Sequence, residues 1–87
     1  MTNTIANNLL AHRKQAGLLQ TDVAKALDLV STDRISHWER GSAMPSVINL
    51  FKLAKLYGVR SEELYRDLFF GSETSLDNRF KDERLLP

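Results

Sequence analysis

Gln20-Thr-Asp-Val-Ala24-Lys-Ala-Leu27-Asp28-Leu-Val-Ser31-Thr-Asp-Arg-Ile35-Ser-His-Trp38-Glu-Arg-Gly41 reads as two short helices around a tight turn. The first spans about 20–27 and turns Val23, Ala24 and Leu27 inward. The second spans about 32–40, capped by Ser31 and stopped by Gly41, with Ile35 and Trp38 three apart on its inner side. Helices of two turns are marginal alone, so each must be held by packing on the other and on its neighbours. Ala24 is small where a crossing helix would approach, and Ile35 follows eleven residues later on the facing helix.

Working outward, the same signals repeat. A helix over 4–16 starts at Asn3 or Thr4, ends at Gly17 and turns Ile5, Leu9 and Ala16 inward. Pro45 forces an extended residue before it, and Ser46 caps a helix over 47–57 with the stripe Leu50, Leu53, Ala54 and Tyr57, ended by Gly58. Ser61 caps a fifth helix whose first turn carries Glu62 and Glu63, where the helix dipole favours negative charge. Its stripe is Leu64, Tyr65 and Leu68, and it stops before Gly71. Leu and Ala together number 21 against 7 Val and Ile, which favours helix, and no stretch alternates long enough for a strand. The expected architecture is an all-α, five-helix domain over 1–70 followed by a tail over 71–87. That tail, whose apolar residues are Leu76, Phe80, Leu85 and Leu86, reads either as disorder or as an arm docking Leu76 and Phe80 on a partner subunit.

Composition narrows the function. An 87-residue chain without cysteine has no disulfide framework and no thiolate zinc site. His12 stands apart from other ligand types, so no metal and no cofactor is expected. No apolar run is long enough for a membrane span, and the start lacks the charge and apolar stretch of a signal peptide, so a soluble cytoplasmic protein is expected. No Gly-rich phosphate loop, cysteine nucleophile or acid/base constellation speaks for an enzyme. The net charge of +1 divides into +4 over residues 1–60 and −3 over 61–87, a basic body and an acidic end that would orient the molecule near a polyanion. Two short crossed helices beside such a charge pattern fit a helix-turn-helix, whose second helix shows its outer face to the DNA major groove.

The resemblance then becomes specific. Gln20 at the start of the second helix, Ala24 within it, Ile35-Ser in the third, Glu39-Arg-Gly41 at its end and Pro45-Ser beyond occur in order, preceded by Arg13. This pattern resembles the lambda-repressor-like (XRE-type) helix-turn-helix family over about residues 5–69. Two places depart from it. Asp28 stands where the family has Gly, in a turn Asp28-Leu-Val-Ser31 one residue longer than usual, and Leu19 replaces the usual capping Ser. Asp tolerates the left-handed conformation better than most residues, which keeps the turn feasible.

The resemblance implies a homodimeric, sequence-specific regulator of transcription, a repressor, bound to double-stranded DNA. It places Thr32, Asp33 and His37 on base edges: Thr32 against a base or a thymine methyl, Asp33 accepting from a cytosine amino group, His37 donating to guanine. Gln20, Arg34, Arg40 and Ser42 fall to the DNA backbone, and Arg13 with Glu39 to an ion pair joining the first and third helices. Trp38 reads as core rather than a stacking platform. Tyr65, Leu68, Phe69 and Phe70 carry more apolar area than one small core needs and are the dimerisation candidates. The alternative is an antitoxin-like interaction module that binds a partner protein as well as DNA.

Overall fold

A serine cap at Ser46 and left-handed glycines at 41 and 58 set the limits of the helices in the middle of the chain. The computed structural model describes residues 4–71. Its elements are α1 (Leu9–Gln15), α2 (Gln20–Ala26), α3 (Asp33–Arg40), α4 (Val47–Tyr57), α5 (Ser61–Leu64) and α6 (Arg66–Phe70), with no strand among the described residues. Asn3 and the tail over 72–87 lie outside them, so the readings placed there do too. No helix of the described residues is long and apolar enough to cross a membrane.

The middle of the chain follows its sequence closely. Ser46 Oγ accepts from the Asn49 amide at 3.2 Å and starts α4, which Gly58 ends with φ +72°. Gly41 ends α3 in the same left-handed conformation. Asp28 has φ +60°, the one positive value at a non-glycine residue among those described, so the carboxylate residue does adopt the conformation its place demands. Leu19 has no oxygen to cap α2; only the reverse contact exists, its amide donating to Asp22 Oδ2 at 2.8 Å.

Both ends differ from expectation, and for one reason. The first helix begins at Leu9, not at residue 4. Residues 4–8 are instead pulled away by distant partners: the Ile5 amide donates to Gly41 O at 2.8 Å and Asn7 Nδ2 to Trp38 O at 3.1 Å. Asn7 Oδ1 accepts from the Leu9 amide at 3.0 Å, a cap-like contact at the true start. Ile5 still packs on the core, but Ala16 is exposed.

The fifth helix, expected to run unbroken to Gly71, divides at Tyr65 (φ −128°, ψ 50°), giving six helices among the described residues. Asn8 explains the break: its amide takes Leu64 O at 2.8 Å and its Nδ2 takes Glu63 O at 3.1 Å, carbonyls a continuous helix would use for its own amides. Ser61 accordingly lies inside α5, with Arg60 at the cap position. The turn carries Tyr65 inward beside Leu64 and leaves Leu68 exposed. The core joins Leu9 to Val23, Ala24, Leu27, Ile35, Trp38, Leu53, Ala54, Tyr57, Leu64 and Tyr65, so every helix from α1 to α5 contributes.

Candidate nucleic-acid interface

The helix α3 is fixed from behind and bare in front. Ile35 and Trp38 are 1% and 4% exposed, and this spacing on a 3.6-residue helix turns Asp33, Arg34 and His37 to solvent. Thr32 sits half-buried at the cap position, its carbonyl accepting from the Ser36 amide at 2.9 Å. The hydroxyl that meets the helix start belongs to Ser31, which accepts from the Asp33 amide at 3.2 Å. No ion pair joins Asp33 to Arg34 among the described residues, and Arg34 is exposed.

Arg40 and Ser42, assigned by resemblance to phosphate, have other partners. Arg40 folds along its own helix, its Nη1 donating to Ser36 Oγ at 2.7 Å and its Nη2 meeting His37 Nδ1 at 3.1 Å. The i, i+3 and i, i+4 spacing makes these contacts the nearest available to the guanidinium. Ser42 Oγ donates to the His37 carbonyl at 3.2 Å and lies 3.2 Å from Nδ1. A guanidinium can only donate, so Nδ1 accepts and the ring proton is left on Nε2, the atom at the outer edge. The pair therefore positions His37 as a donor.

Behind the helix, Arg13 Nε donates to Glu39 Oε2 at 2.6 Å and Nη2 to Oε1 at 3.2 Å, a two-pronged ion pair with side chains 9% and 6% exposed. Arg13 Nη1 also holds Leu18 O at 2.9 Å, which ties the turn before α2 to the same point. The bond to Glu39 raises the Arg13 pKa further. Gln20 Nε2 donates to Glu39 Oε1 at 3.0 Å, so one amide hydrogen of Gln20 is occupied and the second stays free.

Burial, helped by the Glu39 charge and opposed by Arg13, pushes the nearby Tyr57 phenol up to about 12. A phenol with a raised folded-state pKa contributes stability in full below its ordinary value near 10, and that contribution drains away as pH climbs toward 12. Burial raises Tyr65 in the same direction. Urea midpoints measured across that window should fall for the natural chain and fall less for Tyr57→Phe.

A second surface, apolar in character, is formed by α4 and α6. Tyr65 packs in the protomer's own core, 5% exposed, and shows only its edge to the surface. Leu68, Phe69 and Phe70 remain exposed. Phe70 lies beneath the Arg66 guanidinium, 5.1 Å from its ring centre. Leu68 and Phe69 instead line an apolar groove of about 360 Å³ with Met44, Val47 and Phe51. Those three were missed in the sequence, although for Val47 and Phe51 a signal was present: α4 is apolar on nearly every side, more than a single buried stripe requires.

Neither the curated proteins nor the solved structures yield a match to this chain. Residues 9–64 match a family model described as helix-turn-helix, a span that holds the Arg13–Glu39 pair, the α2–α3 turn and the whole of α3. The chain belongs to the lambda-repressor-like (XRE-type) helix-turn-helix family, whose members are DNA-binding regulators of transcription.

Proposed function

We propose that the protein is a cytoplasmic, sequence-specific repressor of transcription that binds duplex DNA as a homodimer, each copy placing α3 in a major groove. The observation that carries this reading is the exposure of Asp33 and His37 on a helix whose opposite side is locked by Ile35, Trp38 and the Arg13–Glu39 pair. Base contacts fall to Thr32, Asp33 and His37, with the Nε2 proton of His37 suited to a guanine acceptor and Asp33 to a cytosine amino group. Arg34 and the free amide hydrogen of Gln20 serve the phosphates. Arg40 and Ser42 act through His37. The loop Gly41-Ser-Ala-Met-Pro45 has no Lys or Arg, so few phosphates are neutralised and the salt dependence of binding is shallow.

The groove between α4 and α6, with Leu68 and Phe69 at its edge, supports the homodimer. The same groove is the feature that favours the second reading, an antitoxin-like module with a protein partner. Selection of bound sequences from a random duplex library tests the first. An inverted repeat with half-site centres about 34–36 Å apart is expected, and a pool with no enriched sequence would contradict it. Sedimentation of the purified chain separates the two uses of the groove: a dimer supports self-association, and a monomer that copurifies with one stoichiometric partner supports the module.

A further inference from the structure

The α2–α3 turn contains a residue that the fold does not use. Leu29 packs against the core, its amide donating to Ala24 O at 2.8 Å, while the next residue, Val30, is 105% exposed. Seating Leu29 in the longer turn leaves its neighbour with nothing to pack on, and the β-branched side chain stands wholly in water. Asp28 at φ +60° holds the turn in this shape from the other side. Val30 is not isolated on a remote loop, however. It lines a shallow depression of about 340 Å³ together with Asp28, Leu29, Ser31, Asp33 and Arg34. Leu29 and Val30 give it an apolar wall, Asp28 and Asp33 supply carboxylates able to accept from a base amino group, and Arg34 brings a guanidinium with no ion-pair partner among the described residues.

We infer that Val30 is a specificity-determining residue that packs on the C5 methyl group of a pyrimidine at the edge of the major groove. The inference rests on the proposed insertion of α3 and deepens it. The start of α3 enters the groove, Val30 lies three residues before that start, and Asp33 shares its depression. In the major groove the outstanding apolar feature of the bases is the C5 methyl, which apolar side chains read by contact. Thymine and 5-methylcytosine both present it. Asp33 then accepts from the amino group of a base beside that pyrimidine, and Arg34 reaches the flanking phosphate. Burying one methyl group against Val30 is worth about fourfold in affinity.

The test uses the full chain and the duplex recovered by library selection. Each thymine is replaced in turn by deoxyuridine, which lacks only the methyl, and each cytosine by 5-methylcytosine. For the natural chain, deoxyuridine at one position per half-site should weaken binding about fourfold if the base is thymine. If it is cytosine, 5-methylation there should strengthen binding by a similar factor. Val30→Ala should be indifferent to the same change, with its helical circular dichroism and melting temperature unaltered, because the side chain touches no other part of the fold. A discrete site at which no pyrimidine methyl matters, or at which Val30→Ala responds as the natural chain does, overturns this inference alone. Failure to select any site overturns it together with the proposed function.

Discussion

Glu39→Ala should cost about 3–5 kcal/mol of folding stability, the usual penalty for stranding one member of a buried ion pair. The loss follows from what Glu39 touches. Its two oxygens receive Arg13 Nε and Nη2 and Gln20 Nε2, and the Arg13 side chain left behind is only 9% exposed. A domain of this size holds roughly 4–13 kcal/mol in all, so the variant should be partly unfolded at moderate temperature and should melt well below the natural chain. Arg13→Ala should be as damaging, since it leaves the carboxylate beside the raised Tyr57 phenol. Replacing both, as Arg13→Met with Glu39→Leu, should recover most of the loss because no buried charge is left unpaired. Denaturant titration of the three variants reads this directly. A loss below about 1 kcal/mol for Glu39→Ala would mean that the pair behaves like an exposed one.

The second large effect is expected at Gly41. A Cβ placed there would lie 2.5 Å from Ile5 O and 2.8 Å from Ile5 N, with φ at +81°. Gly41→Ala therefore meets two costs: about 1–2 kcal/mol for a side chain in the left-handed region and about 0.5–1.5 kcal/mol for the Ile5–Gly41 hydrogen bond it displaces. The expected total is about 1.5–3.5 kcal/mol. Gly58→Ala is the matched control. Its φ is +72° and nothing lies within 4 Å of the added carbon, so only the conformational cost of about 1–2 kcal/mol applies. Equal losses at the two positions would show that residues 4–8 do not brace the end of α3.

These two sites also mark where sequence reading succeeds and where it stops. Ser46, Gly41 and Gly58 act on their immediate neighbours, so the bounds of α4 and the ends of α3 and α4 could be read directly. Asp28 was legible for the same reason, because only a few residue types suit a left-handed turn. The ends of the domain were not, since their backbone partners are far away in sequence. Asn7 accepts from the Leu9 amide at the start of α1 while reaching Trp38 O, and Asn8 takes the carbonyls of Glu63 and Leu64, which breaks the last helix. Neither contact leaves a trace in hydrophobic periodicity.

The interface divides along the same line. The three-residue spacing of Ile35 and Trp38 dictates the outward direction of Asp33 and His37. Which way the Arg40 side chain turns is a rotamer choice between phosphate and His37, and only the structure reveals the second. Leu64 and Tyr65 were legible as part of an apolar stripe, whereas the exposure of Leu68 follows from the helix break at Tyr65, which the stripe does not show.

The proposed placement of α3 in the major groove is tested most directly by backbone amide chemical shifts recorded while a selected duplex is titrated into labelled protein. The largest shifts should gather at Gln20, Thr32, Asp33, Arg34 and His37, with Leu53 and Ala54 in the core nearly still. Shifts confined to Met44–Phe51 and Leu68–Phe70, with the outer side of α3 unmoved, would contradict it.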